Sequence, residues 1–181
     1  MKKLVIATAL GALFAAGIAS ADDKIRATLK GFSEVPSVST EGSGTFEAVI
    51  NKDGTAIDFE ITYSGIQGTV TQSHMHVGQR GVIGGIVLWI CGTATNPEPA
   101  TGGNTNVCTS PDGHFTGTWK PENVQTVATQ QIKPGELNEV IDAIRAGVAY
   151  VNVHSNLSPG GEVRGQVRAN RRDRDDDHDR H

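Results

Sequence analysis

The feature that most restricts the fold is an alternation of apolar and polar residues with a period of two, which recurs in several separate segments. Residues 57–63 show it most clearly, and residues 25–29 and 46–50 show it as well. Successive side chains of a β-strand point to opposite faces, so this pattern predicts half-buried strands. Asp53-Gly54 stands between residues 46–50 and residues 57–63 and predicts a hairpin turn that joins these two strands.

Further strand signals continue along the chain, at residues 69–77, 83–90, 114–119, 148–154 and 162–168. The 22 glycines, 7 prolines and low aromatic content of 5% favour short strands joined by tight turns over a helical bundle. One segment departs from this pattern, because apolar residues fall at helical spacing between Pro134 and Gly147. We therefore predict an all-β sandwich of about eight strands with one short helix that contains Leu137, Val140, Ile141 and Ile144.

The two ends of the chain differ in composition from this middle part. Lys2 and Lys3 precede an apolar run that ends in Ala-Ser-Ala at residues 19–21, which predicts a cleaved secretory signal peptide over residues 1–21. The run of about 15 residues is shorter than a membrane span, so we expect no membrane anchor after cleavage and a periplasmic or secreted protein. Residues 168–181 are mostly Arg, Asp and His and predict a disordered tail, which leaves residues 22–167 as one domain.

Charge and cysteine content restrict the function further. The net charge of −4 argues against a nucleic-acid partner. Cys91 and Cys108 are the only cysteines. Export to an oxidising compartment favours a disulfide between them, which would stabilise the loop from residue 92 to residue 107. A metal-thiolate role for the two cysteines is the alternative interpretation.

The histidines carry the clearest chemical signal. His74 and His76 are two residues apart within a predicted strand, so both project from one face and could chelate one ion. His154 ends a second predicted strand, and if the two strand ends meet, three imidazoles would suit Cu(II) or Zn(II). His114 is a candidate fourth ligand, and Glu34 or Glu162 could supply an oxygen ligand.

Two sequence blocks resemble the CHRD domain, a family first described as repeats in chordin and common as single exported domains in bacteria. They are residues 74–81, which read His-Met-His-Val-Gly-Gln-Arg-Gly, and residues 150–166, which contain Tyr-Val-Asn-Val-His-Ser and Pro-Gly-Gly-Glu-Val-Arg-Gly-Gln. The resemblance extends over about residues 25–167. It implies an immunoglobulin-like β-sandwich whose biochemical activity is poorly defined. His74, His76 and His154 lie within these blocks, either as metal ligands or as parts of a buried polar network with Glu162 or Arg164.

The order of the three histidines also resembles copper-zinc superoxide dismutase, an exported Greek-key sandwich with a His-x-His strand, a later histidine and a disulfide. The chain lacks a candidate for the bridging histidine and a zinc loop of His and Asp residues. The resemblance favours metal ligation by the three histidines. The Irving–Williams order and imidazole-rich ligation in an exported protein favour copper as the ion, with zinc as the alternative. Asn152, Glu162, Arg164 and Glu34 are the predicted neighbours that orient the ligands.

The sequence thus predicts an exported protein that binds a metal ion, with copper sequestration or delivery as its role. No catalytic residue is predicted, and a superoxide-dismutase-like redox activity is the enzymatic alternative. The non-enzymatic alternative is an interaction module in which the histidines are structural and the loops recognise an extracytoplasmic protein or a surface polymer. Trp89 and Trp119 are interpreted as core residues.

Overall fold

The structure is a computed structural model that describes residues 23–100 and 106–170. The predicted signal peptide, residues 101–105 of the loop between the cysteines and residues 171–181 of the predicted tail lie outside the described residues. Within the two described ranges, no helix is both long and apolar enough to cross a membrane.

The described residues form nine strands and one α-helix. In chain order the elements are β1 (Asp23–Lys30), β2 (Ser43–Ile50), β3 (Ile57–Ser64), β4 (Val70–Val77), β5 (Gly85–Cys91), β6 (Gly113–Trp119), α1 (Leu137–Arg145), β7 (Ala149–Ser155), β8 (Val163–Gln166) and β9 (Arg168–Asn170). Short 3-10 turns occur at Gly31–Ser33, Pro121–Asn123 and Ala128–Gln130.

The strands β1, β2 and β3 form the antiparallel meander that the alternation predicted. The register places Ala48 opposite both Ile25 and Phe59, so the apolar residues of the three strands share one face. In β3 every second residue is buried and the residues between them are exposed. The Asn51–Ala56 turn that contains Asp53-Gly54 is closed by the Asn51 side chain and by a positive φ at Gly54.

All strands belong to one antiparallel sheet that is nearly closed. The order across the sheet is β5-β4-β7-β8-β1-β2-β3-β6, with β9 paired to the beginning of β1. The two end strands approach each other, and Trp119 Nε1 on β6 donates a hydrogen bond of 2.6 Å to the Trp89 carbonyl on β5. The prediction of an all-β fold with one helix is confirmed.

The hydrophobic core fills the inside of this sheet. Trp119 is fully buried and stacks on Phe59 with ring centroids 4.1 Å apart. The helix α1 buries the four residues that the spacing predicted and ends before Gly147, whose positive φ suits a residue without a Cβ. The disulfide between Cys91 and Cys108 is present and ties the end of β5 to the following loop.

The last predicted strand and the predicted tail have different boundaries in the structure. The segment expected as one strand over residues 162–168 is divided at Val167 into β8 and β9, and Glu162 precedes β8. The first three residues expected in the tail, 168–170, form β9 instead. The reason is that β8 pairs with β1 only at Lys30, so the start of β1 has backbone groups on the same edge that are free to pair. β9 forms its ladder there, opposite Lys24, Ile25 and Arg26. β5 likewise starts at Gly85 rather than at residue 83.

Candidate metal centre

The centre is built on the antiparallel ladder between β4 and β7. His74 lies opposite Asn152 and His76 lies opposite Tyr150, while His154 lies opposite Gln72 at the far end of the ladder. Residues directly opposite each other in a ladder point to the same face. The three histidines therefore share one face of the sheet. Met75, Val151 and Val153 point to the other face and pack in the hydrophobic core.

The structure brings His74, His76 and His154 together. One ring nitrogen from each lies within 4.8 Å of the other two, and this is the group of His, Cys, Asp or Glu side chains with metal-ligand spacing among the described residues. The ring centroids of His74 are 4.7 Å from His76 and 4.6 Å from His154. Nitrogens bound to one ion at 2.0–2.1 Å are about 3.3–4.1 Å apart, so shifts of less than about 1 Å would close the site.

Two loops fix the orientation of two of these rings. His76 Nδ1 is 2.9 Å from the Gly84 carbonyl, and His154 Nδ1 is 2.9 Å from the Pro159 carbonyl. A ring that donates its Nδ1–H to a carbonyl keeps a lone pair on Nε2. This is the usual arrangement of a metal-binding histidine, whose second nitrogen is held by a carbonyl or carboxylate.

The remaining ring nitrogens are poorly satisfied, although they are buried. Among the described residues, His74 Nδ1, His74 Nε2 and His154 Nε2 have no hydrogen-bond partner. His76 Nε2 faces Asn152 Oδ1 at 3.2 Å, but a neutral ring has only one N–H, and the Gly84 carbonyl already accepts it. Buried polar atoms without partners are rare in folded proteins, and an absent ion is one of their ordinary explanations.

Burial keeps the three imidazoles neutral. Burial lowers the pKa of His74 well below its usual value of 6.5, and the neighbouring His154 and His76 lower it further, while the Asn152 side chain opposes the shift. Burial also lowers the pKa of His76, to about 4, although its hydrogen bond to Gly84 opposes the shift. The pKa of His154 is lowered by burial, against its hydrogen bond to Pro159. The lone pairs that a metal requires are therefore available at neutral pH.

Tyr150 and Arg164 support the ring of His76. The Tyr150 ring stacks on His76 with centroids 4.5 Å apart and planes 5° apart, and the Arg164 guanidinium carbon lies 3.4 Å from the Tyr150 centroid. Arg164 Nη2 donates hydrogen bonds to the Gln79 and Val82 carbonyls, so it also holds the β4–β5 loop over the site. Arg164, predicted from sequence as a neighbour of the ligands, contacts the Tyr150 ring that stacks on His76, and its charge contributes to lowering the pKa of His76.

Asn152 and Glu34 form a second group beside the cluster. Both are buried, and Glu34 Oε1 has no hydrogen-bond partner among the described residues. Burial raises the pKa of Glu34, while the Val35 amide, the Asn152 side chain and the Arg164 charge oppose this shift. Gly161 allows the Glu34 carboxyl to lie against the backbone, because a Cβ at this position would collide with that carboxyl. The φ of 124° at Gly161 also favours glycine.

Glu162 has a different position from the one considered in the sequence. Its carboxyl accepts hydrogen bonds from Thr40 Oγ1 at 2.7 Å, from the Gln67 amide at 2.8 Å and from the Ser155 hydroxyl. Burial raises the pKa of Glu162, but the hydrogen bonds from these three groups and from the Gly68 backbone outweigh burial and bring the pKa below its usual value. Glu162 thus joins two loops to the end of β7 and is not part of the three-histidine group.

The other predicted donors lie away from the cluster. His114 is on β6 opposite Thr62, and its Nε2 is 2.8 Å from Glu60 Oε1 on the exposed face of the sheet. Cys91 and Cys108 are joined to each other, so neither is a thiolate ligand in this structure. The alternative metal-thiolate interpretation of the cysteines is therefore wrong for this state of the protein.

Sequence reasoning missed three parts of the centre. Trp89 is buried, as its interpretation as a core residue requires, but it also lies opposite His74 on β5, and the two ring centroids are 5.0 Å apart. The carbonyls of Gly84 and Pro159 were not predicted, because every residue has a backbone carbonyl and the sequence does not show which ones accept a hydrogen bond from a side chain. The alternation of Tyr150, Asn152 and His154 along one strand already predicts that Tyr150 shares the face of His154, but no role was predicted for it.

The fold and the centre together define an all-β protein with a buried three-histidine group that could hold a metal ion. The chain belongs to the CHRD domain family, whose family model matches residues 25–167. No curated protein and no solved structure matches the chain.

Proposed function

We propose that this protein binds one copper ion through His74, His76 and His154 and serves in copper sequestration or delivery. The observation that carries the proposal is a buried cluster in which one ring nitrogen of each histidine lies within 4.8 Å of the other two. Among the described residues, both ring nitrogens of His74 and Nε2 of His154 have no hydrogen-bond partner. The hydrogen bonds from His76 and His154 to backbone carbonyls support it, because they leave Nε2 of each ring free for a metal.

Copper is preferred over zinc on chemical grounds. Divalent copper binds a given set of nitrogen ligands more tightly than zinc does, and imidazole is a good ligand for both. Asn152, Glu34 and Arg164 are proposed to orient the ligands, Asn152 directly and Arg164 through Tyr150. A superoxide-dismutase-like redox activity stays a prediction from the order of the histidines alone.

We also propose that the protein is exported and acts in the periplasm or outside the cell after removal of residues 1–21. The disulfide between Cys91 and Cys108 supports this location, since disulfides persist mainly in oxidising compartments. Mass spectrometry of the protein recovered from a periplasmic extract and from the medium would test it. We expect an N-terminus near Asp22, and a full-length chain retained in the cytoplasm would contradict the proposal.

The metal proposal is tested by thermal melts and elemental analysis of the purified protein with copper, supplied in either oxidation state, or with zinc. We expect one copper per chain and a raised melting temperature, since a ligand at 100 times its dissociation constant adds about 2.7 kcal/mol to stability. The His74→Ala/His76→Ala/His154→Ala variant should lose both effects. His114→Gln is the matched control and should retain them, because His114 lies on the exposed face of β6.

The alternative function is an interaction module in which the cluster is structural. The hydrogen bonds from His76 to Gly84 and from His154 to Pro159 favour it, because they tie two loops to the sheet. On this alternative neither ion would bind stoichiometrically, and the triple variant would be less stable in the absence of metal. The two functions therefore differ in the melts of the wild-type protein itself.

A further inference from the structure

The donor set of the centre is small and uncharged. Among the described residues, three imidazoles make up the group with metal-ligand spacing, and no carboxylate or thiolate joins it. Both cysteines are in the disulfide, and Met75, between the two histidines of β4, points into the hydrophobic core. The chain thus offers three neutral nitrogens, whereas Zn(II) takes four ligands and Cu(II) prefers a tetragonal set.

The surroundings of the donors do not offset a double positive charge. His74 is 0% exposed, and His76 and His154 are each 6% exposed. The Arg164 guanidinium and the His76 ring both lie over the Tyr150 ring, so steric exclusion places them on its opposite faces. The buried carboxyl near the cluster is Glu34, and it faces the charge of this same Arg164. Glu34 and Arg164 together carry no excess negative charge.

The charge of the ion therefore decides which ion fits. The free energy needed to transfer an ion from water to a protein interior grows with the square of its charge, so a dication costs about four times as much as a monocation of equal size. Repulsion from Arg164 is likewise twice as large for a dication, although attraction to an ionised Glu34 acts in the opposite direction. A monovalent ion that is stable with three nitrogen ligands meets both conditions.

We propose that the three-histidine site selects the cuprous ion, Cu(I), over the cupric ion and zinc, and that Arg164 is a positioning residue that sets this selectivity through Tyr150 and His76. The inference rests on the proposed function, since it names the oxidation state of the ion bound there. Three imidazole nitrogens complete the coordination of Cu(I) without a water molecule or an anion. The burial of the cluster under the loops that contain Gly84 and Pro159 suits such a closed site.

The test compares affinities for the two oxidation states. Under argon, the purified protein competes with bicinchoninate for Cu(I), and in air it competes with nitrilotriacetate for Cu(II) and Zn(II). We expect one Cu(I) per chain, bound at least 1000-fold more tightly than either divalent ion. Tighter or equal binding of Cu(II) would overturn the cuprous assignment and leave copper binding intact. Failure of all three ions to bind stoichiometrically would overturn the proposed function as well.

The role of Arg164 is tested by Arg164→Gln and Arg164→Lys. Loss of the positive charge in Arg164→Gln should reduce the ratio of Cu(I) to Cu(II) affinity at least 10-fold, chiefly through tighter Cu(II) binding. Arg164→Lys keeps the charge and should restore most of the ratio. An unchanged ratio in a folded Arg164→Gln protein, checked by near-ultraviolet circular dichroism, would contradict the role of Arg164. If that variant does not fold, the wild-type affinity ratio still decides the cuprous assignment.

Discussion

The two faces of the β4–β7 ladder are both buried, but they are stabilised in different ways. On one face Met75, Val151 and Val153 are fully buried and join the hydrophobic core. On the other face His74 and His154 are almost completely enclosed and still have ring nitrogens without partners. The comparison shows that one pair of strands can contribute to the hydrophobic core and to the histidine cluster at once, because alternate residues of each strand point to opposite faces.

The two faces also contribute to the free energy of folding with opposite signs. An apolar side chain gains free energy when it leaves water, whereas a buried polar atom without a hydrogen bond loses it. The histidine face therefore lowers the stability of the metal-free protein. A ligand that satisfied these nitrogens would recover that loss, and this distinguishes the face from an ordinary polar network.

Acidification should have the largest effect on the histidine face, because it destabilises the metal-free protein. The folded-state pKa values of the three histidines lie below 6.5, so between these values and pH 6.5 the unfolded chain binds more protons. The stability of the metal-free protein should therefore be fully present above about pH 6.5 and should fall on acidification, by up to about 1.4 kcal/mol per pH unit for each histidine. For His76 this loss continues down to about pH 4. Urea denaturation at pH 8, 7, 6 and 5 measures it.

The control for the acid experiment is a variant with leucine at all three histidine positions. Its stability should change much less over the same pH range. Glu34 is common to both proteins, and its raised pKa makes it act in the opposite direction in each. Equal pH slopes in the two proteins would show that the histidines do not titrate as their burial requires.

A substitution on the apolar face should have the next largest effect. Met75→Ala removes a fully buried side chain between the two histidines of β4 and should destabilise the protein by about 2–5 kcal/mol. Metal stoichiometry should remain unchanged, because the side chain points away from the site. Denaturation and metal titration of the same sample measure both quantities. Loss of binding by a folded Met75→Ala protein would mean that the two faces are not independent.

A substitution on the histidine face should have a smaller effect of opposite sign. His74→Leu removes two buried nitrogens without partners, so the metal-free protein should keep its stability or gain about 1 kcal/mol, while metal binding is lost. His76→Leu is the comparison variant and should be destabilised, since it leaves the Gly84 carbonyl without its donor. A loss of more than about 2 kcal/mol in His74→Leu would favour a structural cluster.

The exposed face of the sheet should give the smallest effect. His114→Gln removes a surface pair with Glu60 in which both side chains are 59% exposed. We expect a change in stability within about 0.5 kcal/mol and no change in metal binding. A measurable loss of metal affinity would place His114 in the functional site despite its position on β6.

Local pattern was sufficient for part of this structure. The shared face of His74 and His76, the meander of β1 to β3 and the helix around Ile141 all follow from periods of two or 3.6 residues. The meeting of His154 with His74 does not follow, because it depends on the pairing and register of β4 with β7, which are far apart in the chain. His114 and Glu162 were candidates on residue type, and long-range pairing placed each of them elsewhere.

The place where the two end strands of the sheet, β5 and β6, approach each other gives the centre an intrinsic fluorescence signal. The chain has two tryptophans, and the hydrogen bond between these two strands joins them. Trp89 contacts a ring of the cluster edge-on, whereas Trp119 lies in the core against Phe59. An ion that quenches or shifts emission would act first on Trp89, while Trp119 serves as an internal reference. Intrinsic fluorescence should thus report occupancy of the site and integrity of the fold in one spectrum.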